Sequence, residues 1–431
     1  MLRHFFLEDT MKLQTMINNY TYYQYITSKQ FKTRVLTIRF LSDLNSVNPT
    51  VRHLMINMLK AKNQQTKTRK AQTKHLESLY DSMLYTNASK LGTQHVLQVT
   101  LVFINDSYTI EKTLFDEVLK FLYTTLYNPL FDEESLRLEK QFLKDYFKAE
   151  YTNKTRFAQK QYIKHLYSDY PYNKHALGNE NEIDEVTLED IKIAYHAMLD
   201  QSRVFVTFLS DLNAQETHEK ILKSLNLQSI NGAFKPLVKW DFKPKEMIKE
   251  TLEVSQDRLF ITLKTNTYMK DPHYFHVLVF NALLGEGSDS LLFKTIREDL
   301  SLAYYVYSSY SPMTGLITMT SGMHQNNVEL GRKTMFDVLN RIKTGDFTDE
   351  DLHLAKTHLI TLLKQSYDHP MSLSLKALRF VLFEIPFHEQ NLIEAIEGVS
   401  KDDVIQLAKT IEVIFTYQLG GAYENNPVSE L

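Results

Sequence analysis

The sequence has no cysteine in 431 residues. Disulfides, thiolate–zinc centres and cysteine nucleophiles are therefore excluded, and the absence fits a reducing compartment. Glycine (12) and proline (10) are sparse, which predicts long helices and few long loops. No run approaches the roughly 20 apolar residues that a spanning helix needs. The opening residues, MLRHFFLEDT, reach Glu8 and Asp9 without the apolar core of a signal peptide. A cytoplasmic protein without a membrane partner is the expectation. There is little excess of either charge: the net charge is −3 and the pI about 6.6. Nothing electrostatic therefore points to nucleic acid or an anionic membrane. Neither a P-loop nor a dinucleotide glycine fingerprint occurs.

What is present is a repeat. The length exceeds one ordinary core, and the order of predicted elements recurs. TRVLTIRFLSD (Thr33–Asp43), HVLQVTLVFIND and SRVFVTFLSD read as strands in the first half, and DRLFITLKT, LAYYVYSSYSP, GLITMTSGM and EVIFTYQLGG in the second. The ends match best. VTLEDIKIAYHAMLDQSRVFVTFLSD and VSKDDVIQLAKTIEVIFTYQLGG each carry a hydroxyl N-cap, an acidic first turn, an apolar helix and a strand. Two domains, 1–225 and 251–431, are expected, joined by the Pro- and Lys-bearing segment 226–250. The fold class expected is α+β, two similar halves, each a mainly antiparallel sheet with helices on one side.

One stretch raises a chemical question. In NPTVRHLMINMLK (Asn48–Lys60), His53 opens a helix that resembles a His-x-x-Glu-His zinc motif. In that motif two imidazoles at i and i+4 share a metal, and the intervening Glu activates bound water. Here the base position is Ile56, which cannot accept a proton. The second ligand position is Asn57, a poor zinc donor. Taken alone, His53 is an ordinary helix-surface or packing histidine. The pair His273 and His276, at i and i+3, has no adjacent carboxylate base and reads as surface.

These residues, with HLESLYDSMLYTNASK after them, resemble the pitrilysin-like M16 metallopeptidases, a family that includes insulinase and mitochondrial processing peptidase relatives. The chain is most similar to the non-catalytic member of a paired, bacterial two-subunit set, and the likeness spans nearly its whole length. In active members a later Glu completes the zinc shell; in RLEKQFLKDYFKAE its slot falls on Asp145 or Tyr146. The second half keeps more. LLGEGSDSLLFKTIREDLSLAYYVYSSY matches the family segment that runs from a glycine turn through Arg-Glu-x-x-x-x-Ala-Tyr, at Gly285, Gly287, Arg297 and Tyr304. The resemblance implies that Arg297 and Tyr304 bind substrate peptide near the scissile bond. A guanidinium and a phenol suit a carbonyl or a developing oxyanion. The two glycines read equally as helix C-caps.

What the resemblance implies is a clamshell of two halves around a cavity, with no catalytic residue and no metal of its own. Zinc would sit only in a partner, an active M16 subunit with an intact motif, or the chain would form a homodimer. Peptide would pair along the strand His95–Asp106. The second expectation is a stand-alone peptide-binding or scaffold protein of the same fold.

Overall fold

The computed structural model describes residues 11–231 and 237–421. Strands β1 (Met11–Asn18), β2 (Thr21–Ser28) and β3 (Thr33–Asp43) come first. Helices α1 (Pro49–Ala61) and α2 (Arg69–Ser78) follow, then β4 (Met83–Leu91) and β5 (Gln94–Ile104). Helices α3 (Leu114–Tyr127), α4 (Glu133–Thr152), α5 (Lys154–Leu166) and α6 (Leu188–Gln201) lead to β6 (Arg203–Ser210) and α7 (Ala214–Leu225). The second half runs β7 (Ile248–Leu252), β8 (Asp257–Lys264), α8 (Tyr274–Leu284), β9 (Ala303–Ser311), β10 (Leu316–Met323), α9 (Val328–Thr344), α10 (Asp349–Tyr367), α11 (Pro370–Phe383), α12 (Glu389–Glu397), α13 (Lys401–Thr410) and β11 (Glu412–Gly421). Among the described residues no helix is long and apolar enough to cross a membrane.

The strands form two sheets, ordered β1-β2-β6-β3-β5-β4 and β7-β11-β8-β10-β9. With β1 set aside, the orders are the same: first strand of the half, last, second, fourth, third. Both sheets are antiparallel except where the first strand meets the last, β2 with β6 and β7 with β11. The fold is thus α+β with a duplicated plan. The matching ends read from the sequence adopt the same local structure. Thr187 and Ser400 each close a capping box with the Asp three residues on, Asp190 and Asp403. Each helix then delivers its strand, β6 or β11, beside the second strand of its half.

Several elements differ from the sequence reading. The stretch HLESLYDSMLYTNASK is divided: α2 ends at Ser78, Tyr80 and Asp81 take positive φ, and Met83 and Leu84 enter β4. Helix α4 gives way to α5 at Asn153, whose side chain caps α5 by accepting from the Thr155 and Arg156 amides. The strand expected to offer a free edge, β5, lies between β3 and β4; the outer position belongs to β4. Strands β1, β2 and β4 and helices α11 and α12 carry no signal in the sequence reading.

The described residues group into two compact units that are not the two sequence halves. One covers 11–149, 170–231 and 367–382; the other covers 150–169, 237–366 and 383–421. The boundaries 1–225 and 251–431 therefore miss two exchanged segments, the α5 region and most of α11. The reason is sheet chemistry. On β3, Leu36, Ile38 and Phe40 face the main apolar core with α1, α3, α6 and α7. The alternate residues, Arg39 and Leu41, face the other way. There Arg39 donates to Ser374 Oγ (3.0 Å) and to Gln98 Oε1 (3.0 Å), Gln24 donates to the Ala377 carbonyl, and Leu378 packs on Leu41, Val96 and Phe205. In the second sheet α5 plays the matching part. The Tyr162 hydroxyl bonds Thr262 and Thr318, both at 2.8 Å, and its ring stacks on Phe260.

The two capping boxes give a direct check of the duplicated plan. Thr187→Ala and Ser400→Ala should each lower stability by about 1 kcal/mol, the usual cost of losing a hydroxyl N-cap. Urea denaturation of each variant measures it, and a shift at only one of the two positions would contradict their equivalence.

Candidate functional site

Helix α1 begins where Asn48 accepts from the Thr50 and Val51 amides at 2.8 and 3.1 Å, with Pro49 in the first turn. Its start is strapped by the loop at 175–183. The Thr50 hydroxyl donates to Glu182 Oε2 (2.7 Å) and accepts from the Asn179 amide (2.9 Å). Gly178 has φ +97°, and a Cβ there would lie 2.1 Å from Thr50 Oγ1 and 2.4 Å from its Cα. Only glycine lets the loop approach so closely. The strap fixes His175 and Ala176 beside α1.

His53 and Asn57 share the half-buried face of α1, whereas Ile56 is 0 % exposed in the apolar core. Asn57 is held at both ends of its amide. Its carbonyl oxygen accepts from the Thr86 hydroxyl of β4 (3.1 Å), and its NH₂ lies 3.1 Å from His53 Nε2. An amide NH₂ only donates, so Nε2 of His53 accepts and its proton sits on Nδ1. The lone pair that a metal would need is thus spent on Asn57. Burial, with smaller effects from His175 and Lys60, pushes His53 down to about 4.

Tyr146 and Asp145, the two candidates for the third-ligand slot, point differently. Asp145 is exposed and accepts from Gln141 Nε2 (3.0 Å). The Tyr146 ring lies 6.4 Å from the His175 ring. Tyr146 is therefore the one turned toward the α1 neighbourhood, with a neutral phenol where zinc wants a carboxylate. These residues do not fit zinc: one imidazole with its lone pair taken, an amide and a phenol. Among the described residues no three His, Cys, Asp or Glu side chains converge to hold a metal ion.

Three neighbours escape sequence reasoning. Arg52 is 3 % exposed and donates from Nη1 to Ser42 Oγ (2.9 Å). His95, directly across from Ser42 in the β3–β5 ladder, is fully buried and donates from Nε2 to the Ala176 carbonyl (2.8 Å). Burial, with Arg52 next in size, pushes His95 down to about 4. Lys90 of β4 donates to the Tyr172 and Lys174 carbonyls, both at 2.7 Å, and burial pushes it down to about 8. The signal in the sequence was faint: a single glycine, Gly178, in the strap that gathers them.

The second motif lies in the other unit. Residues 293–299 form a π-helical turn after α8. Arg297 is exposed, its guanidinium 4.9 Å from the Phe293 ring centre, with no hydrogen bond or ion pair among the described residues. Tyr304, at the start of β9, is 61 % exposed and its hydroxyl makes no hydrogen bond among the described residues. The glycines have steric reasons of their own. Gly285 ends α8, its carbonyl accepts from the Ser308 amide (2.9 Å), and a Cβ there would lie 2.6 Å from that nitrogen. Gly287 has φ +106° and lies against the His358 ring.

The buried histidines make stability pH-dependent. An unfolded histidine titrates near 6.5, so both states are neutral above that pH and stability is full. As pH falls toward 4 the unfolded chain takes up protons that the folded one refuses, and stability is lost. Between pH 7 and pH 5 the loss should be about 2 kcal/mol for each of His53 and His95. Urea denaturation at the two pH values measures it, and His95→Asn should remove about half of the difference.

Residues 185–359 match the family model described as Peptidase M16 inactive domain. A Bacillus subtilis protein named "Probable inactive metalloprotease YmfF" is 25% identical over 409 residues, which is 92% of this chain and 95% of that protein. Among solved structures, a conserved protein from Enterococcus faecalis V583 superimposes with a TM-score of 0.89 at 22% identity, covering 96% of this chain and 100% of that one. The peptidase M16 inactive domain from Pseudomonas fluorescens gives a TM-score of 0.80 at 18% identity, covering 96% and 99%. The structural likenesses establish the fold. The chain is therefore similar over residues 185–359 to the Peptidase M16 inactive domain, and over most of its length to a probable inactive metalloprotease, and its donor set on α1 does not fit zinc.

Proposed function

We propose that this chain is the non-catalytic subunit of a heteromeric M16 zinc peptidase, and that it holds peptide for a partner carrying an intact His-x-x-Glu-His. The contrast between the two motifs carries this reading. On α1 the base and the second ligand are replaced, with Ile56 in the core, and the remaining imidazole is bonded to Asn57, which also holds Thr86. Arg297 and Tyr304, in contrast, stay exposed, with their side-chain donors unspent among the described residues. A guanidinium and a phenol need no metal of their own to grip a peptide carbonyl or an oxyanion.

The free edge of β4 supports the peptide-holding part. On that edge no strand follows β4 among the described residues, and its Met83 and Tyr85 side chains are exposed. An extended peptide can add there by main-chain hydrogen bonds, with alternate side chains setting preference. The substrate class proposed is therefore an extended polypeptide segment. The localisation proposed is the cytoplasm, and the arrangement with its partner is a heterodimer.

Two measurements test the reading. Purified alone, the protein should hydrolyse no peptide; turnover that a chelator abolishes would overturn the proposal. Mixed with an M16 subunit that carries the intact motif, from the same cell, it should raise peptidase activity, and Arg297→Ala should lower that activity on the order of 10²-fold, the usual cost of one oxyanion donor. Co-purification from the native cell without such a partner would favour the stand-alone peptide-binding protein instead.

A further inference from the structure

Behind α1 lies a set of buried polar atoms that no protein group satisfies. Arg52 Nε and Nη2, His53 Nδ1 and His95 Nδ1 are all shut off from solvent and lack a hydrogen-bond partner among the described residues. Buried polar groups in folded proteins are nearly always paired, and each unpaired one costs about 1–3 kcal/mol. Four such atoms on three neighbouring residues do not read as scattered defects. They belong together in space: Arg52 is tied to Ser42, the cross-strand partner of His95, and both Arg52 and His53 lie close enough to His95 to act on its charge. The strap residue Ala176 fixes His95 from the other side.

The chemistry of these atoms follows from bonds already described. Asn57 donates to His53 Nε2, so His53 Nδ1 carries a proton and is a donor. His95 donates from Nε2 to the Ala176 carbonyl, so its Nδ1 is a lone pair and an acceptor. Arg52 Nε and Nη2 are donors only. The cluster therefore presents N–H donors from two residues and one acceptor. A metal cation needs lone pairs and would meet N–H bonds from Arg52 and His53. An anion would meet the His95 lone pair. A water molecule accepts two hydrogen bonds and donates one or two, and buried waters typically make about three.

We infer that Arg52, His53 and His95 together hold one internal water, which accepts from Arg52 and His53 Nδ1 and donates to His95 Nδ1. It satisfies one of the two orphaned nitrogens of the guanidinium, which has no carboxylate partner among the described residues, and both orphaned imidazole nitrogens. Its lone pairs point at N–H donors, so it is a structural water and not a nucleophile. It also locks the tautomer of His53 that spends Nε2 on Asn57. The inference concerns this chain alone and stands whether or not a partner subunit exists.

Crystals of the wild-type protein test it directly. A resolution fine enough to place single waters should show one solvent atom within about 2.7–3.2 Å of Arg52 Nε or Nη2, His53 Nδ1 and His95 Nδ1. No density there, a metal or anion in its place, or direct bonds among the three side chains would overturn the inference. Long-range ¹H–¹⁵N spectra at pH 7 give a second readout that needs no crystal. They should show His53 protonated on Nδ1 and His95 on Nε2. The opposite tautomer at either histidine would break the donor–acceptor match and sink the proposal.

Discussion

Each sheet of this protein buries two unlike faces, and that demand organises the fold. Successive residues of a strand point to opposite sides, so β3 sends Leu36, Ile38 and Phe40 one way and Arg39 the other. The apolar side is covered by the main helical layer. The other side carries a buried, always-charged Arg39 together with Gln24 and Gln98, and such groups must find hydrogen-bond partners when they leave water. Serine and a main-chain carbonyl of α11 meet that need, with Leu378 as the apolar anchor. In the second sheet the aromatic and hydroxyl groups of α5 do the same with Thr262, Thr318 and Phe260.

The face of α1 that carries His53 is held by hydrogen bonds of its own. Ile56 turns a position that would hold a carboxylate into core. Asn57 keeps the spacing of a ligand but gives its hydrogens to the remaining imidazole and its oxygen to β4. The helix is therefore pinned to the neighbouring strand by an amide bridge instead of by a metal. Burial keeps the surviving histidines neutral at physiological pH, which removes the repulsion that several imidazolium groups beside Arg52 and Lys90 would create.

Much of this was legible in the sequence, and what was not has physical causes. The duplicated ends were readable because a hydroxyl cap, two acidic residues and an apolar stripe are local signals, and both capping boxes form as those signals require. The degenerate motif was readable because helical spacing fixes which side chains share a face. Strand β4 was hidden by a sequence, MLYTNASKL, whose outer positions are solvent-facing and polar or aromatic in no strict alternation. The exchanged helices were hidden for another reason: periodicity reveals that α5 is a helix but not which sheet it serves. His95 and Arg52 could not be joined to His53 by spacing, since a strand ladder and a distant loop bring them together.

The exchanged helices carry a consequence for any attempt to divide the molecule. Cutting the polypeptide within 226–250 would yield two fragments of sensible length, each retaining its own strands. Yet the amino-terminal piece would keep α5 without the threonines it binds, and would lack the segment that shields Arg39. The carboxy-terminal piece would have the converse defect. The plan is that of two similar modules, but a lateral helix of each is assigned to the other, so no single cut in this segment leaves both sheets covered.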